Sequence, residues 1–540
     1  MSRTSRRTFL RSTAGALALS GVASSSAGAQ SAEELTDWPM RGFDLQNTAH
    51  TPATPATRNL EVEWTVETDE AAFVIGNGQN RQSLPAIADG RVYVGGGYAG
   101  NDVAVFRCVD LRSGDVLWTY EKAAPDGVSA PRISSSPAVA DGTVYFAGID
   151  KIVALDAETG DERWKGERPK VPESSSVKRA HGEPYGTFEA PPSVYDGVVY
   201  APFVQGDVAG TPGGVRGFDA ETGEAVFEIK LGRGSSAGLA IKDGSIYYTG
   251  YYEGLKRIDV ENESVVWDDR LDPYRDADCN NPPGDVPYRP PVVSPSGRTH
   301  RIHVLGQPFP NAPMNTYTWQ ADGMFIKRTS PQPDEKCGFN HADYWATLEQ
   351  SAVADGRVLS SFILGTDAGV SAKVRGGLPP STPWTNEYEA IPTGVSVARN
   401  VLVTTIGKSL VGLNVFTGET VFEKSLEGLD NWKDNEFLGT PIPTDNRYLI
   451  HTWGGQLVCV KGDPAESPVT STTTTTATPT TRETTSAART SSTPGTKAWL
   501  ETESNDTGLP GFDLGTGVAG VLSGAALLGN RLRKASDEEK

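Results

Sequence analysis

The chain has 540 residues, enough for several ordinary domains or for one large repetitive domain with attachments. Only 37% of the residues are apolar, and 59 glycines, 37 prolines, 11 tryptophans and 17 tyrosines favour many short strands joined by tight turns over packed helices. The formal charge of −19 argues against nucleic-acid and anionic-lipid partners, whose phosphates it repels, and fits a halophilic surface protein kept soluble at high salt.

Residues 1–29 carry an ordered set of export features. Arg6 and Arg7 precede Thr8-Phe9-Leu10, an apolar stretch runs from Ala14 to Val22, and Ala27-Gly28-Ala29 offers a small-residue cleavage site. The arrangement resembles a twin-arginine signal cut between Ala29 and Gln30, and an exported, extracellular protein follows from it.

Residues 30–463 repeat. Hairpin turns occur at Asp89-Gly90, Asp141-Gly142, Asp196-Gly197, Asp243-Gly244, Ser296-Gly297, Asp355-Gly356, Arg399-Asn400 and Asp445-Asn446, separated by 44 to 59 residues. Such residues tolerate the positive φ that two-residue hairpin loops require. Eight near-equal hairpin units imply radial repetition. A second phrase completes the unit, with an Asp or Asn eight residues before an aromatic: Asp110 to Trp118, Asp156 to Trp164, Asp219 to Phe227, Asp259 to Trp267 and Asn414 to Phe422. Gly114, Gly160, Gly223 and Gly418 stand midway and suit a left-handed turn, whereas Glu263 replaces the glycine in the fourth copy and implies a different turn there. Each aromatic supplies a large planar surface for a neighbouring sheet. Leu60 to Trp64 reads as the last strand of a repeat whose first strands lie at the far end, in the run beginning Arg447-Tyr448. An all-β, eight-bladed propeller closed by the N- and C-terminal strands is therefore expected.

The pattern Ala-x-Asp-x-x-Thr-Gly-x-x-x-Trp at 154–164 resembles the tryptophan-docking repeat of the pyrroloquinoline quinone (PQQ) propeller superfamily. Residues 37–52, "DWPMRGFDLQNTAHTP", are similar to its lead-in segment. The resemblance implies a propeller fold shared by quinone-dependent dehydrogenases and by non-catalytic scaffolds, so fold does not settle function. It also implies that an enzyme of this type has a vicinal Cys-Cys disulfide, calcium ligands and a basic Asp. No two cysteines are adjacent here. No catalytic, cofactor-binding or metal residues are nominated, and PQQ with calcium stands only with the alternative reading.

The four cysteines allow three pairings. Cys279 and Cys337 lie in irregular Pro- and Asn-rich segments and are the expected disulfide; Cys108 and Cys459 lie in strand-like runs and suit buried thiols equally well. Asp276 to Asp285 alternates acids and amides as a calcium loop does, but Asn281 and Pro287 occupy the places of the Gly and Glu that such a loop needs. His300 and His303 fall on opposite faces of a strand, which opposes joint chelation. The insert from Lys336 to Trp345 gathers Cys337, His341, Asp343 and Tyr344, and with residues 272–291 it is expected to cap one face and hold any private binding site. Sequons at Asn262 and Asn505 permit N-glycosylation.

Residues 464–507 form a Thr/Ser-rich stalk with little to bury, expected to be disordered. Residues 508–540 carry Pro510-Gly511-Phe512, a short apolar run from Leu514 to Leu528, and Arg531, Arg533 and Lys534. This tail resembles an archaeal Pro-Gly-Phe sorting signal read by an archaeosortase, and implies a membrane anchor at the cell surface. The expected function is a non-enzymatic binding or assembly scaffold for an extracellular protein, envelope or glycan partner. The alternatives are a PQQ-dependent alcohol or sugar dehydrogenase and a polysaccharide-acting propeller.

Overall fold

The computed structural model describes residues 35–469 apart from 69–82, 97–102, 124–132, 168–186, 205–211, 233–237, 270–284, 309–314, 330–351, 375–383, 428–437 and several gaps of three residues or fewer. The leader, most of the stalk, the sorting signal, Asn505, Cys279, Cys337, residues 276–284 of the calcium-loop candidate and the insert at 336–345 lie outside the described residues. All described residues fall in one unit, Leu35–Lys540. Every named element among them is a β-strand.

The strands assemble into eight sheets of four or five. Six are formed by consecutive segments, as in the first, where Ala86–Ala88, Arg91–Gly96, Val103–Asp110 and Val116–Ala123 pair in order, and the seventh adds His50–Thr51, parallel, beside Ser396–Ala398. In the eighth, Ile442–Thr444, Arg447–His451 and Gln456–Pro464 are completed by Ala56–Glu67 from the other end of the chain. Local chemistry explains the hairpins. Asp89, Asp141, Asp196 and Asp243 have φ of 51°, 48°, 49° and 48°, and the glycine after each is also left-handed, as a two-residue loop of matching twist demands.

Burial falls across each sheet. In the second, Thr143–Gly148 is buried throughout, whereas Glu162–Gly166 buries only Trp164 and Gly166. That tryptophan lies on the turn of the next sheet. Its indole Nε1 donates to Ala220 O at 2.9 Å, and a Cβ added to Gly223 would stand 2.6 Å from the ring. The same contact joins Trp64 to Leu111 O and Gly114, Trp118 to Ala157 O and Gly160, Trp267 to Ala321 O and Gly323, and Trp384 to Val415 O and Gly418. Burying one such ring contributes roughly 4–6 kcal/mol of gross hydrophobic free energy.

Two of these docking pairs were not legible in the sequence. The turn Gln320-Ala321-Asp322-Gly323 leads to Phe325 in a shortened copy, and Trp384 follows a segment without the repeat phrase. Glu263 adopts φ 50°, so the fourth turn keeps its left-handed residue. What changes is the ring before it: Phe227 stands there in place of tryptophan and packs with Ile241, Ile246 and Ile258. Phe422 likewise faces a turn without glycine, packing with Ala56 and Leu60 near Asn59, whose φ is 48°.

Gly142 and Gly160 separate backbone strain from ring contact. Both have positive φ, yet a Cβ at Gly142 meets nothing within 4 Å and one at Gly160 lies 2.7 Å from Trp118. Gly142→Ala should cost about 1 kcal/mol and Gly160→Ala about 2–4 kcal/mol, read from denaturant midpoints. Equal losses would show that the indole does not need a bare turn.

Candidate functional site

The feature that reaches the most sheets is the segment from Thr36 to Thr54. Trp38 N donates to Ile87 O and Ile87 N to Trp38 O, at 2.9 and 2.8 Å. Val139 N then donates to Pro39 O, Ile241 N to Leu45 O, Val293 N to Gln46 O, Val353 N to Thr48 O and Val397 N to Ala49 O. These acceptors serve the first strands of the first, second, fourth, sixth and seventh sheets and Val292–Ser296 of the fifth. Leu45 also packs in one cluster with Tyr195 of the third. The segment is thus a strap that pairs with the free edges of successive first strands.

Its path needs unusual backbone. Phe43, Asn47 and Ala49 have φ of 73°, 54° and 48°, a strained region for residues with a Cβ. Side chains hold it there. Asp44 accepts from Gln46 N, Thr48 N and Thr48 Oγ1 at 3.1, 3.0 and 2.7 Å, and its carboxyl is pushed up by burial against the lowering effect of those bonds. Buried Asn47 donates through Nδ2 to Leu239 O at 2.7 Å and Pro291 O at 3.0 Å, bridging the fourth and fifth sheets.

One carboxylate holds both ends of the strap. Asp445 Oδ2 accepts from Thr36 N at 2.9 Å and from Thr36 Oγ1, and Oδ1 accepts from Thr54 N at 2.6 Å. Burial opposes its ionisation, but the Thr36 and Thr54 bonds outweigh burial and hold its pKa below the usual range. Beside it, Glu63 receives Arg447 Nε at 2.7 Å, Arg447 Nη2 at 3.1 Å and Lys461 Nζ at 2.9 Å, a forked pair that binds Ala56–Glu67 to the C-terminal strands. His451 completes the contact between the eighth and first sheets. Its Nδ1 donates to Ser83 O at 3.2 Å while Nε2 accepts from Thr68 Oγ1 at 2.9 Å.

The remaining candidates lie apart. Cys108 and Cys459 are buried free thiols on strands of different sheets; burial pushes Cys108 up to about 12 and Cys459 higher still, so neither is a poised nucleophile. His303 bonds Ser294 Oγ at 2.8 Å, whereas His300 bonds the Tyr247 hydroxyl. Asp110, Asp156, Asp219, Asp259 and Asn414 each accept backbone N–H groups of their own turns. Among the described residues no three His, Cys, Asp or Glu side chains gather as metal ligands. No two cysteines are adjacent in the sequence, so the vicinal Cys-Cys disulfide that the resemblance implies for a quinone enzyme has no counterpart here, and no step is derived through a PQQ–calcium centre.

Comparison with known proteins agrees with the fold. A family model described as outer membrane protein assembly factor BamB matches residues 59–269. A quinoprotein ethanol dehydrogenase of Pseudomonas aeruginosa is 28% identical over 255 residues, 46% of this chain and 36% of that protein. The quinoprotein alcohol dehydrogenase PedH of Pseudomonas putida is 30% identical over 188 residues, 34% of this chain and 29% of that protein. This chain therefore matches about a third of the length of these two relatives. Among solved structures, the quinohemoprotein alcohol dehydrogenase of Comamonas testosteroni superposes with a TM-score of 0.57 at 15% identity, covering 80% of this chain and 82% of the other. These findings support a PQQ-like β-propeller.

His451 makes the contact between the eighth and first sheets sensitive to pH. Burial lowers its pKa to about 4, against the raising effect of the Ser83 carbonyl. An unfolded chain gains a proton near 6.5 that the native state refuses, so stability falls as pH drops from about 6.5 to about 4, by on the order of 3 kcal/mol. His451→Gln should flatten the denaturant midpoint across that window. Carboxylates with lowered pKa, Glu63 and Asp445, lose their contribution further down, as pH falls through their folded values. An unchanged slope in the variant would remove His451 from the account.

Proposed function

We propose that this chain is an exported, surface-tethered, eight-bladed propeller, its ring closed through Ala56–Glu67, that acts as a non-enzymatic binding or assembly scaffold. Three features support eight blades and closure: the eight sheets, the ring contacts of Trp64, Trp118, Trp164, Phe227, Trp267, Trp384 and Phe422 with a neighbouring sheet, and the pairing of Glu61 with Lys461. The scaffold reading rests chiefly on the strap. Its peptide groups occupy the first-strand edges that face the middle of a propeller, so contact surface is concentrated on the outer strands. There Val116 and Leu117 are each 46% exposed, Val226 49%, Val265 40% and Val266 49%. Exposed apolar side chains on open strand edges are adhesive.

A second reading, PQQ-dependent oxidation of an alcohol or sugar, draws on the names of the curated relatives. A single assay separates the two. PQQ and calcium added to the purified protein should give neither a quinone absorbance nor dye-linked oxidation, and Leu117→Glu with Val266→Glu should reduce capture of envelope partners without moving the melting temperature. Turnover with PQQ would sink the scaffold reading, and so would partner capture indifferent to both rim substitutions and to deletion of the insert at 336–345.

A further inference from the structure

We infer that Asn262 is an N-glycan acceptor whose glycan covers the apolar outer strand of the fourth sheet. The inference rests on the proposed export, because the glycan donor acts on exported chains. Asn262-Glu263-Ser264 forms the turn between Gly254–Asp259 and Ser264–Asp269, and residues 261–266 are all exposed. An acceptor amide needs that access, and the serine two residues on completes the motif.

The turn differs from its counterparts in the way an acceptor requires. In the first, second, third and seventh sheets a glycine lies under the tryptophan of the preceding sheet, with less than 3 Å to spare for a Cβ. The residue before that glycine is Ser113, Thr159, Thr222 or Thr417, and its hydroxyl hydrogen-bonds within the turn. In the fourth sheet the preceding ring is Phe227, the glycine is replaced by exposed Glu263, and Asn262 stands where the others have Ser or Thr. Asp259 Oδ1 accepts both Asn262 N at 2.7 Å and one Nδ2–H at 3.0 Å, which fixes the side chain and leaves the second Nδ2–H outward. Directly after the sequon, Val265 and Val266 are 40% and 49% exposed on an unpaired edge. A glycan anchored at the start of that strand screens both from edge-to-edge pairing.

The co-reactant is an oligosaccharide carried on a lipid phosphate. Asn262 Nδ2 bonds to the anomeric carbon, the bond from that carbon to the phosphate oxygen breaks, the lipid phosphate leaves with the electron pair, and one amide proton is lost. Tryptic cleavage after Arg257 and Arg270 isolates the sequon in one peptide, from Ile258 to Arg270. In full-length protein recovered from the surface fraction of its own cells, that peptide should carry added sugar mass. Asn262→Gln and Ser264→Ala should abolish the addition, and Ser264→Thr should retain it. An unmodified peptide in surface-recovered protein overturns the inference while leaving export standing; a chain found only inside the cell overturns the export reading instead. The Asn262→Gln protein should also self-associate more than wild type at equal melting temperature, with Val265→Thr and Val266→Thr reversing the gain. Unchanged self-association would overturn the shielding role.

Discussion

An indole ring lies flat on a turn only if the turn presents no side chain, and that steric demand organises the whole molecule. Five tryptophans among the described residues meet it, each donating to a backbone carbonyl and resting on a glycine of the following sheet. The hydrogen bond fixes the direction of the ring, while burial supplies the free energy. Where tryptophan gives way to Phe227 or Phe422, the facing turn gives up its glycine for Glu263 or for the Asn59 bend. A smaller ring leaves room for a Cβ, so the two substitutions answer one another across the interface.

Polar groups also tie the N-terminal segments to the C-terminal strands. Glu63 grips Arg447 and Lys461, His451 reaches Ser83, and Asp445 holds Thr36 and Thr54. The directional, short-range character of these bonds sets a register that hydrophobic burial alone would leave loose. The strap adds a second level of order. Because it pairs with first strands from sheet after sheet, a displacement of any one of them is opposed through bonds to the rest.

The visibility of these features in the sequence follows their chemistry. Asp-Gly hairpins and the Asp-to-aromatic interval were legible because positive φ and ring size restrict which residues can serve. The copy ending at Phe325 was not, since three lost residues break the interval although Gly323 still docks Trp267. The strap could be named as a lead-in, but its role was hidden. Peptide N–H and C=O groups are the same in every residue, so no sequence pattern announces where they bond. Asp445 looked like a hairpin residue for the same reason: the partner that gives it a second task, Thr36, lies 409 positions away.

The same division bears on function. A cofactor enzyme needs a few polar groups converging on one point, and a repeat cannot supply them because its residues are spread around the sheets and already used in turns and docking. Here the side chains with raised or lowered pKa are engaged in structural tasks: Asp44 and Asp445 in the strap, Glu63 in the terminal strands, His451 between two sheets, Asp156 with Arg163 in a turn. Each shift has a partner and a mechanical consequence that accounts for it. The exposed apolar residues of the outer strands, Val116, Leu117, Val226, Val265 and Val266, have no such task within the fold, which is why the proposed scaffold role is placed on them.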